Sequence, residues 1–224
     1  MAALNSFMAR FALNLPRYAR IRSRFQKYTM IPWSSYVRNL ALVHRFSYVE
    51  GCVVECGVWR GGMSAGIANI LGPHRHYHLF DSFEGLPPAK EIDGRKAVEW
   101  QADKAGEGYY NNCRAEQQEA ASAMDRSKAQ QYTLHKGWFE QTIPPWAKTA
   151  PGIAVLRLDC DWYESMKICL SELMPLVVPG GIVIVDDYYA WDGCARAVHE
   201  YLSGSSKPLR MRQYLNGPFY LVNE

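Results

Sequence analysis

Cys52-Val53-Val54-Glu55-Cys56-Gly57-Val58-Trp59-Arg60-Gly61-Gly62 is the stretch from which the fold is read. Its first five residues make a short apolar run rich in β-branched side chains, interrupted only by Glu55, and they predict a buried strand. The run ends at Gly57. Helical spacing of small and apolar residues resumes at about Gly61 and continues to Leu71. Strand, glycine turn and helix in that order open a βαβ unit. Glycines at such a turn let a ligand approach the backbone, and the helix start offers free amide groups to an anion. The spacing is not GxGxxG, which argues against a dinucleotide site.

Outward from this stretch the alternation continues. His76-Tyr77-His78-Leu79-Phe80-Asp81 reads as a second strand, Tyr132 to His135 as a weak third, Ile153 to Leu158 as a clear fourth and Gly181 to Val185 as the fifth. Helices are expected from Ser34 to about Tyr48, capped by Ser34 or Ser35, from Tyr163 to Leu176, and from about Cys194 to Leu202. Residues 111–129 are polar and helix-prone. Two last strands, at about 209–215 and 218–222, flank Asn216-Gly217, a favoured hairpin turn. Strands alternating with helices imply parallel crossovers. The expected fold class is therefore α/β, a doubly wound, mostly parallel sheet with a C-terminal antiparallel hairpin.

Ligands of such sheets bind beyond the carboxyl ends of the strands, so the residues just after each strand are the candidates. The second strand ends in Asp81, about where a carboxylate meets a ribose hydroxyl pair. The fourth runs into Asp159-Cys160-Asp161 and the fifth into Asp186-Asp187. Fourth and fifth strands are neighbours in this topology, so four carboxylates converge on one edge. Like charges that close repel unless some take up protons or a cation intervenes, and all-oxygen ligands suit Mg²⁺ or Ca²⁺ better than zinc. If the backbone stays extended past Asp159, Asp161 points to the same side about 6–7 Å further on, free of the ion. Aromatic residues crowd the same edge (Trp59, Phe83, Trp138, Trp162, Tyr163, Tyr188, Tyr189 and Trp191) and could stack on an adenine and on a flat or sugar-like acceptor.

At 224 residues with no internal repeat or low-complexity linker, one large α/β domain is expected. The six cysteines include no CxxC pair, and Cys52 and Cys56 share one face of the first strand as small buried hydrophobes. That usage favours a reducing, cytoplasmic setting over a disulfide framework or a zinc site. No apolar run approaches the roughly 20 residues that span a bilayer. Residues 1–49 hold eight Lys/Arg and no Asp or Glu, so the overall charge of +3 leaves −5 for the remainder. Residues 1–33 read as a basic arm and 34–224 as the α/β domain. In the arm Leu4, Phe7, Met8, Phe11 and Leu15 fall at helical spacing, so an amphipathic helix could dock on the domain or on a second subunit of a homo-oligomer, touch a membrane surface, or serve as a transit-type extension. No nucleic-acid-binding module accompanies its charge.

Taken together, Val54 to Gly62, Phe80-Asp81-Ser82-Phe83-Glu84-Gly85-Leu86-Pro87, Lys136-Gly137-Trp138-Phe139, Leu156-Arg157-Leu158-Asp159 with Tyr163-Glu164-Ser165, and Pro179-Gly180-Gly181 through Asp186-Asp187-Tyr188 resemble the macrocin O-methyltransferase family. That family methylates sugar hydroxyls in antibiotic biosynthesis. The resemblance implies a class I methyltransferase (Rossmann-like) fold, S-adenosylmethionine as methyl donor, Mg²⁺, and a small-molecule hydroxyl acceptor, glycosylated acceptors included. It implies that Glu55, Gly57 and the Gly61-Gly62 turn face the methionine part of the cofactor, that Asp81 takes the ribose, and that Ser82 and Phe83 lie beside the nucleoside. It makes Asp159, Asp186 and Asp187 the metal ligands and Asp161 the general base. Cys160 departs from the family's usual glycine and Met166 from its common threonine, and residues 92–131 match least. Three other readings compete. Catechol-type methyltransferases carry a lysine where this chain has Trp162-Tyr163. A DxD phosphohydrolase would place its aspartates after the first strand, and a non-catalytic cofactor-binding scaffold would not need the carboxylate cluster.

Overall fold

The computed structural model of the chain describes residues 2–106 and 108–224; for residues 2–8 it describes the backbone course alone. Along the chain lie α1 (Ala2–Phe25), α2 (Trp33–Arg45), β1 (Cys52–Cys56), α3 (Gly62–Leu71), β2 (His76–Asp81), α4 (Arg95–Ala102) and the single turn α5 (Tyr110–Cys113). They are followed by α6 (Gln117–Asp125), β3 (Gln131–Lys136), α7 (Phe139–Ala147), β4 (Ile153–Leu158), α8 (Tyr163–Leu173), β5 (Val177–Val185), α9 (Asp192–Gly204), β6 (Arg212–Gln213) and β7 (Phe219–Val222). The seven strands form one sheet in the order β3-β2-β1-β4-β5-β7-β6. β7 runs antiparallel to β5 and to β6, and the remaining pairs are parallel. This is the expected doubly wound sheet, with its order reversing at β1 and β4.

Burial on both faces explains why the central strands are apolar throughout rather than alternating. Val53, Val155, Ile182 and Ile184 point into a core shared with α1, α2, α3 and α6. Their neighbours Val54, Leu156, Val183 and Val185 point into a second core with α7, α8 and α9. Cys52 and Cys56 lie in that second core, and all six cysteines are free.

The basic arm does form a helix. Tyr18, Ile21 and Phe25, at helical spacing, are buried in the first core, and Phe11 and Leu15 pack against it. Arg10, Arg17, Arg20 and Arg24 remain exposed on the other side. The expected apolar positions Leu4, Phe7 and Met8 lie outside the described side chains. No helix among the described residues is long and apolar enough to cross a membrane.

Several boundaries differ from expectation. α2 is entered from Pro32, which precedes the first turn in an extended conformation, and neither Ser34 nor Ser35 caps it. β5 starts at Val177, since Val177 already pairs with Ile153 ahead of a register shift. The expected strand 209–215 shrinks to Arg212–Gln213 because left-handed Leu215 and Asn216 turn the chain early, with the Tyr214 amide donating to the Pro218 carbonyl at 3.1 Å. α4 and α7 were not anticipated. α7 carries Pro144-Pro145, a pair that ordinarily marks a loop.

Candidate active site

Sheet register builds the site in rows. Glu55 of β1 pairs with Arg157 of β4, and Arg157 with Ile184 of β5. Two residues further, on the same face, come Gly57, Asp159 and Asp186. The lower row is thus a buried ion pair, and the upper row is the floor of a cavity of about 1430 Å³ above the strand ends. That volume exceeds the roughly 300–1,000 Å³ usual for one small ligand, so it has room for two.

At the β1 side, Gly57 has φ +81°, and a Cβ there would fall onto the Asp159 carbonyl oxygen. A Cβ at Gly62 would come within 2.5 Å of the Tyr28 carbonyl oxygen. The glycines therefore let β4 and the end of the N-terminal arm close around the turn. Gly61 and Gly62 are themselves buried and do not line the cavity, whereas Glu55, Gly57, Val58, Trp59 and Met63 do. Burial pushes the Glu55 carboxyl up to about 7, against the opposing pull of Arg157 and of the Ser64 hydroxyl, which donates to it.

Asp81 occupies the end of β2, as expected, and is more heavily engaged than the sequence suggests. Its Oδ2 accepts from the Val58 and Trp59 amides at 2.7 and 2.8 Å, and its Oδ1 from the Phe83 amide at 2.7 Å. The carboxylate thereby laces the glycine turn to the loop after β2, while still lining the cavity. Burial raises its pKa and the three amides oppose the rise. Ser82 lines the cavity too, its hydroxyl donating to the Gly85 carbonyl at 3.1 Å and accepting from the Glu84 amide at 3.0 Å. Phe83 stands apart from the cavity lining. With φ +58° its backbone turns away from the strand direction, and the ring is 4% exposed in the first core rather than on the cavity wall.

At the β4–β5 side, Asp159, Asp186 and Asp187 each offer a carboxylate oxygen, all within 4.8 Å of one another. Burial raises the pKa of Asp186 and, far more, of Asp187, which faces Asp161 and Asp159 as well. Arg157 is the residue sequence reasoning passed over. Its fully buried guanidinium contacts Glu55 at 2.7 Å, Asp159 at 2.8 Å and Asp186 at 2.8 Å. Burial works against its charge, but the three carboxylates outweigh that and hold it firmly protonated. An apolar strand interrupted by one arginine, beside another interrupted by one glutamate, was the available signal.

The extended path assumed past Asp159 is not found. Asp161 has φ +53°, and the Trp162 amide folds back to the Cys160 carbonyl at 2.6 Å. The turn sends the Asp161 amide to Asp187 Oδ2 at 3.2 Å, and Asp161 Oδ1 accepts from Trp191 Nε1 at 2.9 Å. Burial, followed by the Asp159 charge, pushes the Asp161 carboxyl up to about 7. Trp59, Phe83 and Asp161 are all non-glycine residues at positive φ around this cavity, the setting in which such strain is typically retained. Of the aromatic residues named from sequence, Trp59, Trp138, Trp162 and Tyr189 line the cavity. Tyr188 stacks on Phe219, and Tyr163 packs into the second core.

The profile of the family described as Macrocin-O-methyltransferase (TylF) matches residues 27–211. The chain belongs to that family. It is 37% identical over 180 residues to the 8-demethyl-8-(2,3-dimethoxy-alpha-L-rhamnosyl)-tetracenomycin-C 4'-O-methyltransferase of Streptomyces olivaceus, covering 72% of this chain and 62% of that one. Over 162 residues it is 38% identical to the demethyldecarbamoylnovobiocin O-methyltransferase of Streptomyces niveus, covering 68% and 58% respectively. The chain thus spans about three-fifths of the length of these curated relatives. Among solved structures, the O-methyltransferase NovP superposes with a TM-score of 0.71 at 27% identity, over 88% of this chain and 82% of that one. The calicheamicin methyltransferase CalS11 superposes at 0.61 and 23% identity, over 92% and 93%. The macrocin-family chain has the class I methyltransferase fold, and its antiparallel β7 is the last strand to join β5.

Proposed function

We propose that this chain is an S-adenosylmethionine-dependent O-methyltransferase that uses a divalent cation, Mg²⁺ by preference, and acts on a hydroxyl of a sugar or other small molecule. The observation that carries the reading is one cavity lined by two adjoining groups of residues, Glu55, Gly57 and Asp81 in one and the carboxylates of Asp159, Asp186 and Asp187 in the other. Family membership and the activities of the two Streptomyces relatives support it.

The residues fit both groups. Trp59 lines the cavity beside Gly57 and Val58, and its buried Nε1 has no hydrogen-bond partner. Asp81 keeps one unused lone pair, on Oδ1, for a ribose hydroxyl, since Oδ2 already accepts two amides. Three clustered carboxylates suit a hard, oxygen-seeking cation. Bound S-adenosylmethionine supplies an already activated methyl group, and a bound cation lowers the pKa of a coordinated hydroxyl. Everything else falls to the chain: holding the acceptor oxygen in line, excluding water and receiving one proton. Asp161 is the proposed proton acceptor. It lines the cavity, stands outside the ligand trio and is held at Oδ1 by the Trp191 indole.

Calorimetric titration with S-adenosylhomocysteine should give saturable binding. Incubation with the methyl donor, Mg²⁺ and a panel of free and glycosylated hydroxyl compounds should yield a methylated product that EDTA abolishes. No response to S-adenosylhomocysteine would overturn the methyltransferase reading, and full turnover in chelator would remove the cation from it.

A further inference from the structure

Arg157 presents a puzzle that the proposed function leaves open. A guanidinium beside a cation site repels the cation, yet this one is wholly buried and reaches two of the three presumed ligands. A group needed only to neutralise Glu55 could stop at Glu55. Instead Nη1 is shared between Glu55 Oε1 and Asp159 Oδ2, and Nη2 reaches Asp186 Oδ1. The planar fork lets one side chain meet three carboxylates from three adjacent strands, which a single ammonium cannot do. Asn39 of α2 adds an amide contact to the same Asp186 oxygen at 3.5 Å. Asp187 is not reached by the guanidinium; its Oδ2 accepts from the Asp161 amide, and its side chain also meets Asp159.

We propose that Arg157 is the positioning residue of the cation site: it fixes one oxygen each of Asp159 and Asp186 and anchors that arrangement, through Glu55 and Ser64, to the glycine turn. The inference rests on reading the aspartates as a cation site. Two ligands are held by the guanidinium before the ion arrives, and Asp187 is held separately, by the Asp161 amide. The relay crosses the cavity floor, from Ser64 on the first turn of α3, through Glu55 in β1, to Arg157 in β4 and Asp186 after β5.

Mn²⁺ is the probe, with free and bound ion separated by electron paramagnetic resonance. Arg157→Lys keeps the charge and loses the fork. Its Mn²⁺ affinity is expected to fall about 10–100-fold, the usual cost of removing a group that orients metal ligands. The bound-ion spectrum is expected to change shape. Arg157→Met separates the explanations further, because losing a positive charge beside the site should tighten cation binding if electrostatics alone matter, and weaken it if positioning does. Thermal unfolding without metal identifies the folded fraction. Should neither variant fold, Ser64→Ala keeps the test open: Ser64 is uncharged and meets the carboxylates only through Glu55, so positioning predicts a measurable loss of Mn²⁺ affinity. Unchanged affinity and spectrum in Arg157→Lys, tighter binding in Arg157→Met, or an unaltered Ser64→Ala alongside unfolded Arg157 variants would each overturn the proposal. Failure of the wild-type protein to bind Mn²⁺ would instead overturn the cation reading beneath it.

Discussion

Replacing Asp81 with asparagine should damage the fold and the cofactor site together, and the size of the first effect follows from three hydrogen bonds. The carboxylate accepts from the Val58, Trp59 and Phe83 amides at 2.7, 2.8 and 2.7 Å. Asparagine keeps the volume and offers one acceptor oxygen. Its best orientation keeps that oxygen on the Val58 and Trp59 amides, leaving its NH₂ facing the Phe83 N–H, donor against donor. One stranded donor costs about 1–3 kcal/mol, and the two surviving bonds lose their charge assistance, worth roughly another 1–2 kcal/mol. Against this, burial makes the ionised form costly, which is why the Asp81 pKa is raised despite three donors. A neutral amide recovers part of that cost, so the net destabilisation is roughly 1–4 kcal/mol. For a chain of this length that corresponds to a fall in Tm of about 2–16 °C.

The assay is thermal unfolding with and without saturating S-adenosylhomocysteine. Wild type should gain stability from the ligand, while Asp81→Asn should start lower and gain little. An unchanged Tm would show that the three amides do not need the carboxylate. A normal ligand-induced rise from a lowered baseline would show that Asp81 is a lacing residue only, with the ribose held elsewhere.

Three further outcomes are expected. Gly57→Ala should be among the most damaging single-methyl changes, above about 3 kcal/mol in chemical denaturation, because the methyl meets the Asp159 backbone at a left-handed φ; wild-type stability would mean that β1 and β4 can separate. Burial, with His76 and His135 close by, pushes His78 down to about 3, so the unfolded chain binds this proton first; stability from His78 is complete above its ordinary 6.5 and drains away as pH falls toward 3, and His78→Gln should flatten that part of the acid-unfolding profile. Asp161→Asn, once an acceptor is known, should slow turnover by about 10²–10⁴-fold with little change in S-adenosylhomocysteine affinity; an undiminished rate would assign the proton to water.

The sheet was legible because its signals are local. An apolar run of four to six residues closed by glycine or aspartate is complete within itself, and the order of such runs fixes the crossovers. What was not legible depended on contacts distant in sequence. α7 forms around a Pro-Pro pair because Ile143 and Trp146 find the second core. The Gly57 and Gly62 positions were readable as a turn, but their reason, the Asp159 and Tyr28 backbones pressing in, lies 102 and 34 residues away along the chain.

The carboxylates show the same division at the level of chemistry. Strand ends placed Asp81, Asp159, Asp186 and Asp187 on one edge correctly, since position along a strand is a local property. Their orientation is set by partners the sequence holds far apart: the amides of the glycine turn for Asp81, the Trp191 indole for Asp161, the β4 guanidinium for Asp159 and Asp186. Asp161 shows how one wrong local premise propagates. An extended backbone would have carried it away from the ligand trio, whereas the left-handed turn returns its amide to Asp187 and leaves its side chain on Trp191. It still stands outside the trio, held there by a hydrogen bond rather than by distance. That changes what must be true of the proposed base: its reach toward an acceptor depends on Trp191, which a strand-geometry argument could not have named.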